Sequence, residues 1–511
     1  MSETHSTLLY GGVTALVVGL SIFGWRRSRG GRTYPPGPPA HPLLGNLKDI
    51  PTGGSEWLAY EQLGKRIGSD VIYMTALGSH LLVLNSFEAA RDLLDKKGSL
   101  YSSRPRLVMI KEMMGWDWNL ILMSYGKLFT AYRRVVQQEF SAPVVADRYR
   151  PVITREVHNM LGQLLRAPEG LVKHLKTMAG AVIMMVTYGH QVTSMDDEFV
   201  KLAEQVREHG EKTPGSNIVD IFPFMKYIPA WFPGAGFKRE AMLKYRLAME
   251  MRTAPYAEVM SRMAAGTAVP CMVSRLMQED LPNENVDKGE FVKNCGGVVY
   301  SAGADTTVAA LANFFLAMTL YPDVQARAQK ELDEVITRDR LPTFEDRQRL
   351  PYLNNVVKES LRWKPVAPLA VPHSSIEDDE YRGGYIPKDT TVLPNIYAML
   401  HDEAHYKNPN EFDPDRYLPT SDNPEGEPDP SRAAFGFGRR ICPGRFFADD
   451  SLFLTISSAL HVFSIKKPDG SKGVESVTWS SGLVSLPSPF PFAIVPRFAG
   501  APDLLNVSEP V

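Results

Sequence analysis

Phe435-Gly436-Phe437-Gly438-Arg439-Arg440-Ile441-Cys442-Pro443-Gly444 fits the pattern F-x-x-G-x-R-x-C-x-G at every fixed position. Phe435 opens it, and Gly438 and Gly444 let the chain turn and approach a flat partner closely. N–H groups freed by such a turn can bond the Cys442 sulfur, keep it anionic and tune its potential. Arg440 can pair with a carboxylate through two parallel hydrogen bonds. The apolar run Phe446-Phe447-Ala448 then begins a helix, whose N-terminus favours a thiolate's charge. A structural cysteine in a glycine-rich turn is the competing explanation. A lone cysteine invites it, but the complete pattern is far more specific and makes Cys442 the candidate metal ligand.

The surrounding 511 residues are 44% hydrophobic, ample for a large core. A net charge of −2 gives no global field for nucleic acid. The three cysteines, Cys271, Cys295 and Cys442, are far apart and odd in number, which excludes a disulfide framework and suggests a reducing compartment. Gly436-x-Gly438 is not a dinucleotide fingerprint, and no second cofactor domain is visible.

Residues 6–25 carry no formal charge. At about 1.5 Å per residue, some 18–20 of them span roughly 27–30 Å, the thickness of the endoplasmic reticulum bilayer. Arg26, Arg27, Arg29 and Arg32 follow, so the positive-inside rule puts the remainder in the cytosol. A cleaved signal peptide would carry its charge first and end in small residues; here the order is reversed, and Phe23-Gly24-Trp25 is a poor cleavage site. The expected division is a membrane anchor with its basic flank over 1–32 and a catalytic domain over 33–511. Tyr34-Pro35-Pro36-Gly37-Pro38-Pro39 forms a stiff hinge between them.

The body is expected to be mainly α with small β-sheets. A long helix runs from about Lys288 to Leu320, stopped by Tyr321-Pro322 and uncharged enough through its middle to be buried all round. Further helices are expected near 323–336 and 352–363, and β-like runs at 71–75, 81–84, 391–393 and 492–495. Residues 419–430 are acidic and proline-rich, a solvated loop.

With the cysteine stretch in place, the chain resembles the cytochrome P450 family, and the resemblance runs from the anchor to the last strands. It implies that fold, preceded by a single N-terminal transmembrane helix, and heme b (iron protoporphyrin IX) held by Cys442. Ala302-Gly303-Ala304-Asp305-Thr306-Thr307 looks like the family's oxygen-binding motif. The small pair Ala302 and Gly303 leaves room for dioxygen, and Asp305 and Thr306 can deliver protons. A helix-packing notch is the plainer alternative. Glu359 and Arg362 look like the family's buried pair, completed by Arg416. His373 matches a cationic donor to a haem propionate, as does Arg133. One position departs: Phe129 stands where the family usually has tryptophan, so one N–H is missing, with Lys127 or Tyr132 as candidates to compensate.

The resemblance implies a monooxygenase that inserts one oxygen atom into a small apolar substrate: a terpenoid, steroid, fatty acid or aromatic, in secondary metabolism or xenobiotic oxidation. Its partner would be an NADPH-cytochrome P450 reductase in the same membrane, with cytochrome b5 as a second donor. Lys127, Arg133, Arg134, Arg439 and Arg445 are candidates for the docking face. Substrate-lining segments would be 104–125, 217–237, the long helix before Asp305, 366–371 and 482–485, while 221–225 and 231–234 could dip into the membrane surface. Trp231 to Lys238 and 371–381 resemble the fungal branch. An oxygen-independent isomerase or dehydratase, and a non-enzymatic haem-binding protein, are the alternatives. The sequon at Asn506 argues against a cytosolic body; the arginine cluster outweighs it.

Overall fold

The computed structural model describes residues 32–194, 196–211, 218–281, 286–421, 423–470 and 473–505. The anchor segment and Asn506 lie outside the described residues.

Asp287 caps the longest helix, its side chain accepting from the Glu290 N–H at 2.8 Å. The helix runs Lys288–Leu320, 33 residues or about 50 Å. It is long and apolar enough to cross a membrane, but its most apolar stretch is 72% buried inside the protein. Helices Arg150–Arg166, Leu171–Tyr188 and Arg445–Val462 pack with it into one extensive apolar core. Pro322 and Pro351 start the helices Pro322–Val335 and Pro351–Arg362, where a missing N–H is harmless.

The β-structure is small. Strands Val71–Ala76 and Ser79–Leu84 form a hairpin turned by Leu77 and Gly78, both at positive φ. Thr391–Pro394 joins Ser79–Leu84 in parallel, and His373–Ser374 adds antiparallel beyond it. This places His373 in the sheet, opposite Val392. Two further two-stranded sheets pair Asp379–Tyr381 with Gly384–Ile386 and Phe463–Lys466 with Ala493–Pro496.

The long helix departs from burial on all sides. Phe291–Tyr300 is buried except for Lys293, and residues 307–319 are buried throughout, but every residue from Ser301 to Thr306 is half-exposed. A core helix can be open in its middle only where it borders space inside the fold.

Candidate active site

Three features meet at this space: the cysteine loop, a cluster of cations, and the open turns of the long helix.

Cys442 is half-buried, while Cys271 and Cys295 are buried. Its N–H donates to the Phe435 carbonyl at 2.8 Å, closing the loop on itself. Gly438 has φ +51°, and a Cβ there would lie 2.2 Å from the Leu94 carbonyl oxygen, so only glycine fits. Desolvation pushes the Cys442 thiol up, opposed by the Gly444 N–H and by the charges of Arg133 and Arg445. The helix Arg445–Val462 starts three residues on.

Arg440 stands beside this loop. It donates to the carbonyls of Ser102 (2.7 Å), Leu120 (3.1 Å) and Met123 (2.5 Å), and among the described residues no carboxylate pairs with it. Arg104, a residue the sequence did not single out, is buried and donates to Ile121 (2.8 Å), Val371 (2.8 Å) and Pro372 (2.7 Å). His373 Nδ1 donates to the Tyr101 carbonyl at 2.9 Å, which fixes the tautomer and leaves Nε2 to meet a ligand. Burial, with Arg104 and Arg440 nearby, holds the imidazole well below its usual range. Burial also lowers Arg440 to about 9, aided by Arg133, and Arg133 to about 10. Buried and half-buried arginines that repel one another and, among the described residues, pair with no carboxylate favour an anionic guest.

On the long helix, Thr306 Oγ1 donates to the Ala302 carbonyl at 3.0 Å, and Thr307 Oγ1 to Gly303 at 3.2 Å. Gly303 is half-buried on the open stretch, and a Cβ there would come within 2.5 Å of Ile183 Cδ1. Its smallness therefore serves packing against Leu171–Tyr188. Gly303 and Thr307 share a small cavity with Phe447 and Ser451, on the helix that follows Cys442. Burial pushes the phenol of Tyr300 up, with smaller contributions from Asp197 and then Asp305, and the ring packs against Tyr188.

Glu359 and Arg362 are fully buried and joined by bonds of 2.7 and 2.8 Å. Arg416 Nε (3.1 Å), the Tyr417 hydroxyl (2.8 Å) and the Asp413 N–H (2.9 Å) also donate to Glu359. Arg362 reaches on to the carbonyls of Leu400, Pro409 and Glu411. The cluster ties Pro351–Arg362 to the chain that leads into the cysteine loop.

The expected compensators for Phe129 are engaged elsewhere. Tyr132 stacks on Phe291 at 4.1 Å, and its hydroxyl accepts from Asn294; Lys127 lies on the surface. Of the proposed docking cations, Lys127, Arg134 and Arg439 are exposed, and Arg133 and Arg445 are half-buried. Among the substrate-lining segments, the Ser485 N–H bonds the Val366 carbonyl at 2.8 Å, joining two of them.

A loop thiol, an open helix turn and a cationic cluster without carboxylates fit a flat iron macrocycle bearing two carboxylates: the donor set of the haem-thiolate class. The family model described as Cytochrome P450 matches residues 35–493. Cytochrome P450 monooxygenase 208 of Postia placenta is 41% identical over 501 residues, covering 97% of this chain and 96% of the relative. Tryptamine 4-monooxygenase of Psilocybe cyanescens is 38% identical, covering 92% of this chain and 94% of its own. A solved zebrafish cytochrome P450, with abiraterone, shares the fold at a TM-score of 0.70 and 23% identity, covering 86% of this chain and 100% of that one. The chain belongs to the cytochrome P450 family, whose cofactor is haem iron, and like its fungal relatives it is a monooxygenase.

Proposed function

We propose that this monooxygenase inserts one atom of dioxygen into an apolar organic substrate, at the cytosolic face of the endoplasmic reticulum membrane. Its electrons come from a separate NADPH-dependent flavoprotein reductase. The open, small-residue stretch Ser301–Thr306 inside an apolar core is the observation that carries this reading. Apolar walls suit an apolar guest such as a terpenoid, steroid, fatty acid or aromatic. Exposed Phe224 (67%), Tyr227 (75%) and Trp231 (79%) support contact with a membrane surface.

In this reading heme b, when bound, supplies dioxygen activation, with electron density pushed from the thiolate. Cys442 Sγ is the ligand. Arg104, Arg133 and Arg440 would hold the propionates, and His373 would join them as the imidazolium that a propionate's charge favours, donating from Nε2. Gly438, Gly444 and Phe435 would shape the loop around the sulfur, and Ala302 would leave room on the long helix for a small ligand. Thr306 has committed its own hydrogen to Ala302, so its lone pairs can hold a water by one hydrogen and leave that water's other hydrogen to be delivered. Asp305 lies about 100° further round the helix and acts through water or backbone.

Thr306→Ala is expected to keep haem and its thiolate spectrum. It should consume NADPH yet divert electrons to hydrogen peroxide, with product per NADPH falling at least ~10-fold, modest against the ~10²–10⁴ of a positioned proton donor. Measuring NADPH, peroxide and product together, in cells or membranes that supply reductase and a panel of apolar compounds, checks this. Unchanged coupling would remove Thr306 from the chemistry. Turnover without NADPH would favour an oxygen-independent isomerase or dehydratase. For topology, the expected result is that Asn506 carries no glycan; a glycosidase-sensitive gel shift lost in Asn506→Gln would place the body in the lumen.

A further inference from the structure

Phe129 is the departure from the family's usual residue. It is buried, 3% exposed, in the first turn of the helix Lys127–Glu139. The Arg440 guanidinium carbon lies 3.7 Å from its ring centroid, well inside cation–π range. Tyr125, four residues earlier, packs against Phe129 with centroids 5.7 Å apart. Arg439 bonds the Tyr125 hydroxyl and lies 5.2 Å from that ring. Two consecutive arginines near Cys442 thus meet a packed pair of aromatic residues, Arg440 at the Phe129 ring and Arg439 at the Tyr125 hydroxyl.

We infer that Phe129 is a positioning residue for haem: its ring holds the Arg440 guanidinium in the orientation that meets a propionate, in place of a direct N–H bond. The inference rests on the assignment of Arg440 to haem. The physical reason is geometric. Nε, Nη1 and Nη2 of Arg440 each donate to one carbonyl, which engages three of its five N–H groups. With a ring pressed on one face, a carboxylate can be met only by the two N–H groups that remain. Tryptophan offers a donor of its own; phenylalanine works only through the arginine.

The test is haem loss from holoenzyme to excess apomyoglobin, followed by absorbance, in Phe129→Leu, Phe129→Tyr, Arg440→Leu and the Phe129→Leu/Arg440→Leu double variant. Thermal unfolding is recorded beside it. Phe129→Leu should release haem about five- to tenfold faster, as loss of one desolvated cation–π contact implies. Phe129→Tyr should release it at the parent rate. In the Arg440→Leu background, Phe129→Leu should add nothing to haem loss, although it still lowers the unfolding temperature. A full, additive effect in that background would make Phe129 a core filler and overturn the inference. So would parent-like haem loss in Phe129→Leu. If Arg440→Leu alone retains haem like the parent, the assignment of Arg440 to haem fails instead.

Discussion

Glu359→Ala is expected to destabilise the protein by about 3–5 kcal/mol, the usual loss when one partner of a buried ion pair is removed. The carboxylate accepts from Arg362, Arg416, Tyr417 and the Asp413 backbone, and both Glu359 and Arg362 are fully buried. Without it Arg362 keeps only carbonyl partners, whereas Arg416 retains Glu427 at 2.6 Å. The loss approaches a third or more of the roughly 5–15 kcal/mol that holds a folded domain together. The apparent Tm of a chain this long should fall by roughly 3–5 °C, and the haem-to-protein ratio should drop. The second consequence is the informative one. The segment that Glu359 anchors leads into the cysteine loop, so loosening it should free haem before the core melts. A Tm and haem content matching the parent would mean that the cluster does not brace the site.

Much of this was legible in the sequence because it depends on local rules. The long helix begins at Lys288 and ends where a proline follows Tyr321, as its composition and that stop signal imply. The cysteine loop is one contiguous pattern, and the Glu359–Arg362 spacing is a single helical turn. What escaped the reading is set at long range. Arg104 shows no motif; its role emerges from carbonyls at 121, 371 and 372 that only the fold brings to it. Composition likewise cannot show that Gly303 lets Ile183, on another helix, pack close. Burial all round the long helix followed from its lack of charge. The open turns at Ser301–Thr306 arise from what does not pack there. The partner of Phe129 proved to be Arg440, more than three hundred residues away in sequence, instead of a neighbour on its own helix.

Cys442→Ala carries the other large effect: loss of the thiolate-ligated form, and with it all monooxygenase turnover. Cys442 is the one half-buried cysteine, in a loop whose Gly444 N–H bonds its sulfur. Cys271 is occupied in the cap of Met272–Gln278, exchanging bonds with Ser274, and Cys295 lies buried in the long helix. Neither can offer a sulfur to a ring beside the cationic cluster. The deciding measurement is the absorbance of the reduced carbon monoxide complex in Cys442→Ala, Cys271→Ala and Cys295→Ala. The red-shifted band that a thiolate ligand confers should vanish in Cys442→Ala and persist in the other two; its survival in Cys442→Ala would contradict the assignment of the ligand.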